Sequence, residues 1–395
     1  MGILNSIQNI FISKPIPEQR GINFTTPFGP NTQVSADTAL TFSAVWAAMR
    51  LLSESISTLP VNVFEKETNG NKKELTDDLS FLLKYQPNTY QNKITFLETI
   101  MMGMLSNGNS YVRIVRNGAS KPIELLPLDY DTTKVVINDN KLYYQSETSG
   151  MLDADDVLHF KLITGSDGIN GLSPITQCAN AIGWAQDVEE YGRTFFKNGA
   201  KLSGVLQTDR ALSEQAIDRL RNSFNSNYSN LSGSNQTAVL EEGLSFKPIS
   251  ISADQAQFLA SREFSIAEIA RIFNVPPHLL KDLTKSSFNN IEMQSQEFVI
   301  YSLMPYLNKI ELEMNTKLFR KNELGKKYVK FNTNGLLRGN IKDRSEFYRT
   351  MLNIGALSIN EIRGKEDMNN IDGGDKHFMQ LNMTTIDKIG TDEEV

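Results

Sequence analysis

Apolar residues recur at helical spacing in several long stretches of this chain, and at alternate positions in several short ones. The first strong helix is predicted over Phe42 to Ile56, with Val45, Trp46, Met49, Leu52 and Ile56 on one face. Leu59-Pro60 ends it. Val61 to Phe64 alternates, and Asn69-Gly70 follows as a hairpin signal because both residues tolerate positive φ. A second helix is predicted from about Lys93 to Leu105. Short strands with turn markers come next: Tyr111 to Val115 before Asn117-Gly118, then Ile123 to Leu126, Val135 to Ile137, Leu142 to Tyr144 and Val157 to Phe160. This is an α+β block with antiparallel hairpins.

Beyond it the pattern lengthens. Asn170-Gly171-Leu172-Ser173-Pro174 leads into a helix predicted from Ile175 to Lys197, striped by Ile175, Ala179, Ile182, Ala185, Val188 and Phe195 and stopped by Asn198-Gly199. A small α/β insert follows: a strand at Gly204 to Leu206, a helix from Ser213 to Asn225, and strands at Ala238 to Leu240 and Leu244 to Phe246. The helical period then returns from Arg262, with Phe264, Ile266, Ile269, Ala270 and Phe273 on one face. Val275-Pro276-Pro277 interrupts it, since proline lacks an amide donor and clashes with the preceding turn. Leu283 to Asn290 is a polar loop. A long helix is predicted from Ile291 to Leu318, bearing Ile300, Leu303, Met304, Leu307 and Met314, and kinked at Pro305. A strand at Tyr328 to Phe331 and two short helices, about Ile341 to Asn353 and Ile359 to Gly364, close the folded part; Ser358 with Glu361 reads as a capping box. The polar stretches Met1 to Asp37 and beyond Asn369 read as an arm and a mobile tail. The insert between two long helices reads as a knob on a two-helix stalk.

Composition narrows the chemistry. With 395 residues, 40% hydrophobic and 22% charged, the chain has room for two or three folded subdomains. A net charge of −6 supplies no global basic field for nucleic acid. A conduit that lets DNA slide is not excluded, because each neutralised phosphate adds affinity and tight holding would oppose movement. The single cysteine, Cys178, rules out an internal disulfide and fits a reducing compartment. No apolar run reaches the length of a membrane span, and no secretory leader is evident. Gly2 and Ser6 match a short myristoylation pattern that chance readily produces.

Catalytic signatures are missing. No phosphate-binding G-x-x-x-x-G-K-[ST] loop, dinucleotide fingerprint, H-E-x-x-H or nucleophile elbow occurs, so neither an ATP motor nor an enzyme is indicated. His159, His278 and His377 are far apart and beside no cysteine pair. Asp153, Asp155 and Asp156 read as a solvated turn, and His159 as a packed or hydrogen-bonded strand residue. No cofactor or metal site is predicted. Lys285 is a phosphate contact or an ordinary exposed lysine.

An ordered set of short motifs gives these elements a context. Ala44-Val45 with Leu59-Pro60-Val61 comes first, then Pro87-Asn88 and Asn107-Gly108-Asn109-Ser110-Tyr111. Gly171-Leu172-Ser173-Pro174-Ile175, Phe196-Lys197-Asn198-Gly199 and Gly204-Val205-Leu206 follow. Ile269-Ala270-Arg271, Phe273-Asn274-Val275-Pro276-Pro277 and Glu297-Phe298 through Pro305 to Glu311 are the most specific. Leu336-Leu337-Arg338-Gly339, Asn360-Glu361-Ile362-Arg363 and Gly373-Gly374-Asp375 end the series. In this order, from about Ala44 to Asp375, the chain resembles bacteriophage portal proteins of the HK97 type. It departs at Asn340, where that family often has Asp, and at Met368-Asn369-Asn370, which replaces a more Pro-rich stretch.

The resemblance implies a portal fold: an α+β wing, two long stem helices, a small α/β clip insert, a tunnel loop, a long spine helix and a helical crown region. The segments would be an N-terminal arm at 1–35, wing at 36–170, stem helix at 171–199, clip at 200–253, second stem helix at 254–280, tunnel loop at 281–290, spine helix and return strand at 291–338, and crown with tail at 339–395. It implies self-association into a dodecameric ring at one capsid vertex, with double-stranded DNA passing through the channel without sequence specificity during packaging and ejection. Partners would be the terminase large subunit, a head-completion or adaptor protein, the major capsid protein and scaffold, with no membrane. The location would be the virion, and the host cytoplasm during assembly. DNA-facing candidates are Lys281, Thr284, Lys285, Ser286, Ser287, Asn289 and Asn290 in the loop. Stem-lining candidates are Asp187, Glu190, Arg262 and Glu263; partner-docking candidates on the clip are Glu214, Arg219, Arg221 and Asn225. The alternatives are a capsid or tail structural protein with no DNA-conducting role, and a nucleic-acid enzyme or ring motor.

Overall fold

The structure, a computed structural model, describes residues 34–67, 71–197, 204–207, 213–219, 222, 245–248, 252–280, 296–333, 341–366 and 368–378. The chain forms two compact units, Met1–Asn332 and Thr333–Val395.

The core of the first unit is a helix pair. After a short α1 (Ala36–Leu40), α2 (Ser43–Ser57) buries Val45, Ala48, Met49, Leu52 and Ile56. Helix α4 (Lys93–Asn107) packs on it through a face that includes Phe96, Leu97, Ile100, Met101 and Met104. Full burial of each such side chain contributes about 1.5–3 kcal/mol. The Asn92 side chain caps the start of α4 by accepting from Thr95 N at 3.0 Å, and Gly108 ends it with φ +82°. Between α2 and α4 in the chain comes α3 (Asp78–Lys84), whose cap Asp77 accepts from Ser80 N at 3.0 Å.

The strands among the described residues form four small sheets, all antiparallel. β3 (Asn109–Arg116) is central in the order β4-β3-β8, with β4 at Pro122–Leu128 and β8 at Val157–Lys161. β5 (Lys134–Asn138), β6 (Lys141–Ser146) and β7 (Gly150–Asp153) form a meander. A third sheet has the order β11-β1-β2, from β1 (Val61–Lys66), β2 (Lys72–Glu74) and a strand from much later in the chain, β11 (Lys327–Phe331). Its register pairs Val61 with Phe331. The last sheet joins β9 (Gly204–Gln207) to β10 (Ser245–Pro248). Gln207 pairs with Ser245 there, so the insert leaves and returns through one two-stranded ribbon.

The long helices agree with the periodicity in position and differ in detail. Where the pattern predicts one helix from Ile175 to Lys197, there are two, α5 (Pro174–Gln177) and α6 (Ala179–Lys197), broken at Cys178. Helix α7 (Ser252–Ile272) packs beside α6, and a 3-10 turn at Pro277–Leu280 follows it. The helix around Pro305 is not simply kinked. Phe298–Leu303 is a π-helical stretch that runs into α8 (Met304–Lys317). Trp46, Phe264 and Ile300, expected on buried stripes, are about half exposed. Among the described residues, no helix is long and apolar enough to cross a membrane.

In the second unit α9 (Ile341–Asn353) and α10 (Ile359–Lys365) fall where the pattern places them. The Ser358–Glu361 capping box is formed, each side chain accepting from the other's backbone N–H. Asn360 is buried. Its Nδ2 donates to Ile371 O and Asp375 Oδ1, and its backbone N–H donates to Gly374 O at 2.9 Å. That network explains why the Asn-Glu-Ile-Arg and Gly-Gly-Asp motifs belong together.

Candidate functional site

The candidate loop residues Lys281, Thr284, Lys285, Ser286, Ser287, Asn289 and Asn290 lie outside the described residues, as do Arg221 and Asn225. What the structure describes is how the two roots of that loop are held. Helix α7 ends in a Schellman arrangement: Val275 N donates to Ala270 O at 2.8 Å, and Asn274 N to Arg271 O at 3.2 Å. The residue between these bonds must be left-handed, and Asn274 has φ +52°. Asparagine tolerates that region better than other residues with a Cβ.

The Asn274 side chain then reaches across to the other root, where Nδ2 donates to Tyr301 O at 2.8 Å. Tyr301 stands four residues before Pro305, which has no N–H to return to that carbonyl. Ser302 Oγ donates back to Asn274 O. One residue therefore stops a helix, bonds a carbonyl to which Pro305 cannot donate, and joins the two helices flanking the loop.

His278 follows in the 3-10 turn. It is buried with neither ring nitrogen hydrogen-bonded, and burial pushes its pKa down.

The stem candidates divide in the structure. Glu190 is exposed and pairs with Arg193 at 2.8 Å on its own helix. Asp187 is half-buried, and Arg262 and Glu263 are exposed on α7. Arg262 faces a cleft of about 240 Å³ between α2, α6 and α7, shared with Glu189, Phe42, Val188 and Ile266. Trp184 and Phe264 meet edge-to-face across the α6–α7 pair, centroids 6.0 Å apart. On the insert, Glu214 and Arg219 are exposed on helical residues 214–219, and Ala216 N donates to the Ser213 cap at 3.3 Å.

Behind these elements, two motifs that are distant in sequence close on each other. Asn109 donates Nδ2 to Gly171 O at 2.9 Å and accepts from Gly171 N at 2.6 Å. Gly108 O accepts from Leu162 N, and Ser173 Oγ donates to Ser106 O at 2.6 Å while capping α5. A Cβ on Gly171 would land on the Gly108 carbonyl oxygen; one on Gly108 would stand 2.5 Å from Leu172 backbone. Two bare backbones are needed for the crossing.

Asn109 also orients His159. Its Oδ1 accepts from Gly171 N, so the His159 Nε2 lying 2.9 Å from that oxygen carries the proton. Nδ1 is then an acceptor for Tyr144 Oη at 3.2 Å, and Tyr111 stacks on the ring at 4.5 Å. The ring is neutral. Burial drives its pKa well below the ordinary value, and Lys161 and Lys317 add to the effect. It is a joint in a packed network, as its strand position indicates.

Helix α8 supplies joints that periodicity does not reveal. Glu311, 8% exposed, accepts from Phe331 N at 2.8 Å and pairs with Lys330 at 3.0 Å. Glu313 accepts from His159 N at 2.8 Å, and Asn315 accepts from Val329 N at 2.6 Å. Three polar residues at alternate positions thus tie one helix to β8 and β11. Asp156 is held by Arg116 Nε at 2.9 Å, consistent with a turn. Among the described residues, no group of acids, histidines and cysteines is arranged to hold a metal.

Comparison with known proteins bears on this arrangement. Residues 43–367 match the family model described as phage portal protein. The portal protein of Enterobacteria phage HK97 is 32% identical over 375 residues, covering 92% of this chain and 87% of the relative. The probable portal protein of Streptomyces phage phiC31 is 33% identical over 373 residues, covering 89% and 80%. In solved structures, the fold is similar to a chain from the neck of a native gene transfer agent particle computed with C12 symmetry. The TM-score is 0.57 at 20% identity, covering 87% of this chain and 97% of that one.

Proposed function

The chain belongs to the phage portal protein family, and from that premise we propose how its portal role is built. Copies of it close into a dodecameric ring at one capsid vertex of the virion, assembled in the host cytoplasm, with an axial channel for double-stranded DNA. The twelve-fold neck that contains a chain of this fold supports the ring. Membership of the family supports this reading over a capsid or tail protein without a DNA-conducting role and over a ring motor. The ring has no catalytic activity of its own.

The observation that carries the reading is the α6–α7 pair with a separate β9–β10 module between its two helices in the chain. Paired stem helices holding a protruding insert give a symmetric docking face once copies are arranged around an axis. Residues 171–199 and 254–280 are the stem, with Asp187, Glu190, Arg262 and Glu263 as candidates to line the channel. Residues 200–253 are the clip. Exposed Glu214 and Arg219, with Arg221 and Asn225, dock the terminase large subunit and later a head-completion or adaptor protein. Residues 36–170 and 291–338 form the wing, and 339–395 the crown region facing the capsid interior; the major capsid protein and scaffold are further partners.

Lys281 to Asn290 is the tunnel loop. Small polar side chains and a lysine repeated around a ring touch phosphates without reading bases. The net charge of −6 keeps the rest of the protein from gripping DNA. Electron microscopy of the purified protein tests this: rings with an axial pore wide enough for duplex DNA are expected. Only monomers under all conditions, scaffold included, would overturn it.

A further inference from the structure

A helix on a protein surface ordinarily turns its charges outward. Helix α8 and the π-helical stretch before it do the opposite. Glu311 and Glu313 point inward to backbone N–H groups, and Lys317 donates inward to Val157 O at 2.5 Å. Outward stand Ile300, Tyr301 and Leu312, which are 54%, 65% and 69% exposed. The other exposed positions between Ile300 and Thr316 are Pro305 and Asn308, so this row carries no charge over its whole length. At the usual helical rise it is about 24 Å long. An exposed apolar strip of this size marks an interaction surface.

A second such surface lies at the opposite edge of the same sheet. In the order β4-β3-β8, α8 packs on β8 and α3 packs on β4. There Phe81, Tyr85, Tyr90, Ile94 and Ile123 are between 41% and 66% exposed, with the Phe81 and Tyr85 rings 5.6 Å apart. The carriers are joined firmly, Lys93 N donating to Tyr85 O at 2.9 Å and Leu125 N to Pro87 O at 2.8 Å.

We propose that these two surfaces are the unlike halves of one contact, in which the outward row of α8 on one copy seats against the α3–β4 aromatic surface of the next copy. The inference rests on the ring reading. Copies that close by rotation meet through two different faces of each subunit, and this chain carries two exposed apolar faces on opposite edges of one sheet. An external partner would account for one of them and leave the other bare.

The test separates this contact from the ring itself. If wild-type protein forms no rings, the ring reading fails. Given wild-type rings, Leu312→Glu and the pair Phe81→Lys with Tyr85→Lys are each expected to lower the ring fraction by about tenfold or more, with circular dichroism unchanged. Each variant keeps one intact face, so mixing the two should give one-to-one dimers and no rings by native mass spectrometry. In the Cys178→Ser background, Leu312→Cys with Tyr85→Cys should give a ladder of disulfide-linked oligomers from assembled rings. That readout holds even where the charged variants do not fold. Variants that still form rings overturn the proposal, including any that fail only at capsid incorporation, which would assign the surface to a capsid partner. Rings of the cysteine variant without a ladder overturn it too.

Discussion

Asn274 donates its side-chain amide to the carbonyl of Tyr301, the oxygen to which Pro305 can return no hydrogen bond within an α-helical ladder. The helix that ends at Ile272 and the π-helical stretch at Phe298–Leu303 are thereby fastened together. Asn274→Gly retains the left-handed backbone and loses the bond; Asn274→Ala loses the bond and adds steric strain. Glycine is expected to cost about 1 kcal/mol and alanine about 2–3 kcal/mol. Thermal unfolding of both variants measures this, and alanine proving the milder change would contradict the assignment.

The crossing of Gly108 and Gly171 gives a sharper expectation. Gly171→Ala drives a methyl group into the Gly108 carbonyl, backbone against backbone, where no rotamer change relieves it. Its cost should exceed about 3 kcal/mol, in the range reserved for overpacking and strain. Gly118→Ala, at a turn with nothing within 4 Å of the added carbon, is the control and should be nearly silent. Comparing soluble yield and melting temperature of the two variants decides the matter.

His159 should make stability depend on pH in a known direction. Folded, it is held neutral by burial and by Lys161 and Lys317. Unfolded, it protonates near its ordinary pKa of about 6.5. Below that pH the unfolded chain binds a proton that the folded chain refuses, so stability falls as pH falls, by at most about 1.4 kcal/mol per unit. His278 acts in the same direction, so the informative quantity is the difference between wild type and His159→Gln. Wild type should be the more stable at pH 7.5, and the gap should narrow toward pH 5.5. Parallel melting profiles would show that the buried ring does not titrate as stated.

Much of the fold is legible because local periodicity determines where helices and strands start. The pattern starts helix α2 at Phe42 and the helix begins at Ser43, and the two helices of the second unit lie within a residue of the expected ends. Spacing says that a face is apolar, and not what covers it. Trp46, Phe264 and Ile300 sit on correct stripes and are about half exposed. The inward carboxylates are illegible for a related reason. Glu313 bonds a strand 154 residues away in sequence, and nothing local distinguishes it from a solvated glutamate. Asn274 is visible as part of a motif, but its bond to Tyr301 depends on a proline in another helix. The break at Cys178 interrupts a stripe that continues in register on both sides.

Lys285 carries the functional expectation for the loop. Its side chain adds one positive charge per subunit, and removing a cation from a phosphate lowers DNA affinity while weakening its dependence on salt. Lys285→Ala should therefore leave ring assembly and melting temperature at wild-type values and change DNA packaging or retention. Asn274→Gly supplies the contrast, since it loosens the roots of the loop and leaves its charge intact. Electron microscopy for rings, together with a packaging assay sampled across salt concentrations, separates the two. If Lys285→Ala abolishes rings, the loop is a structural contact between subunits and its proposed role at the DNA is wrong. If rings form and packaging is unchanged at every salt concentration, the lysine makes no functional contact with phosphate.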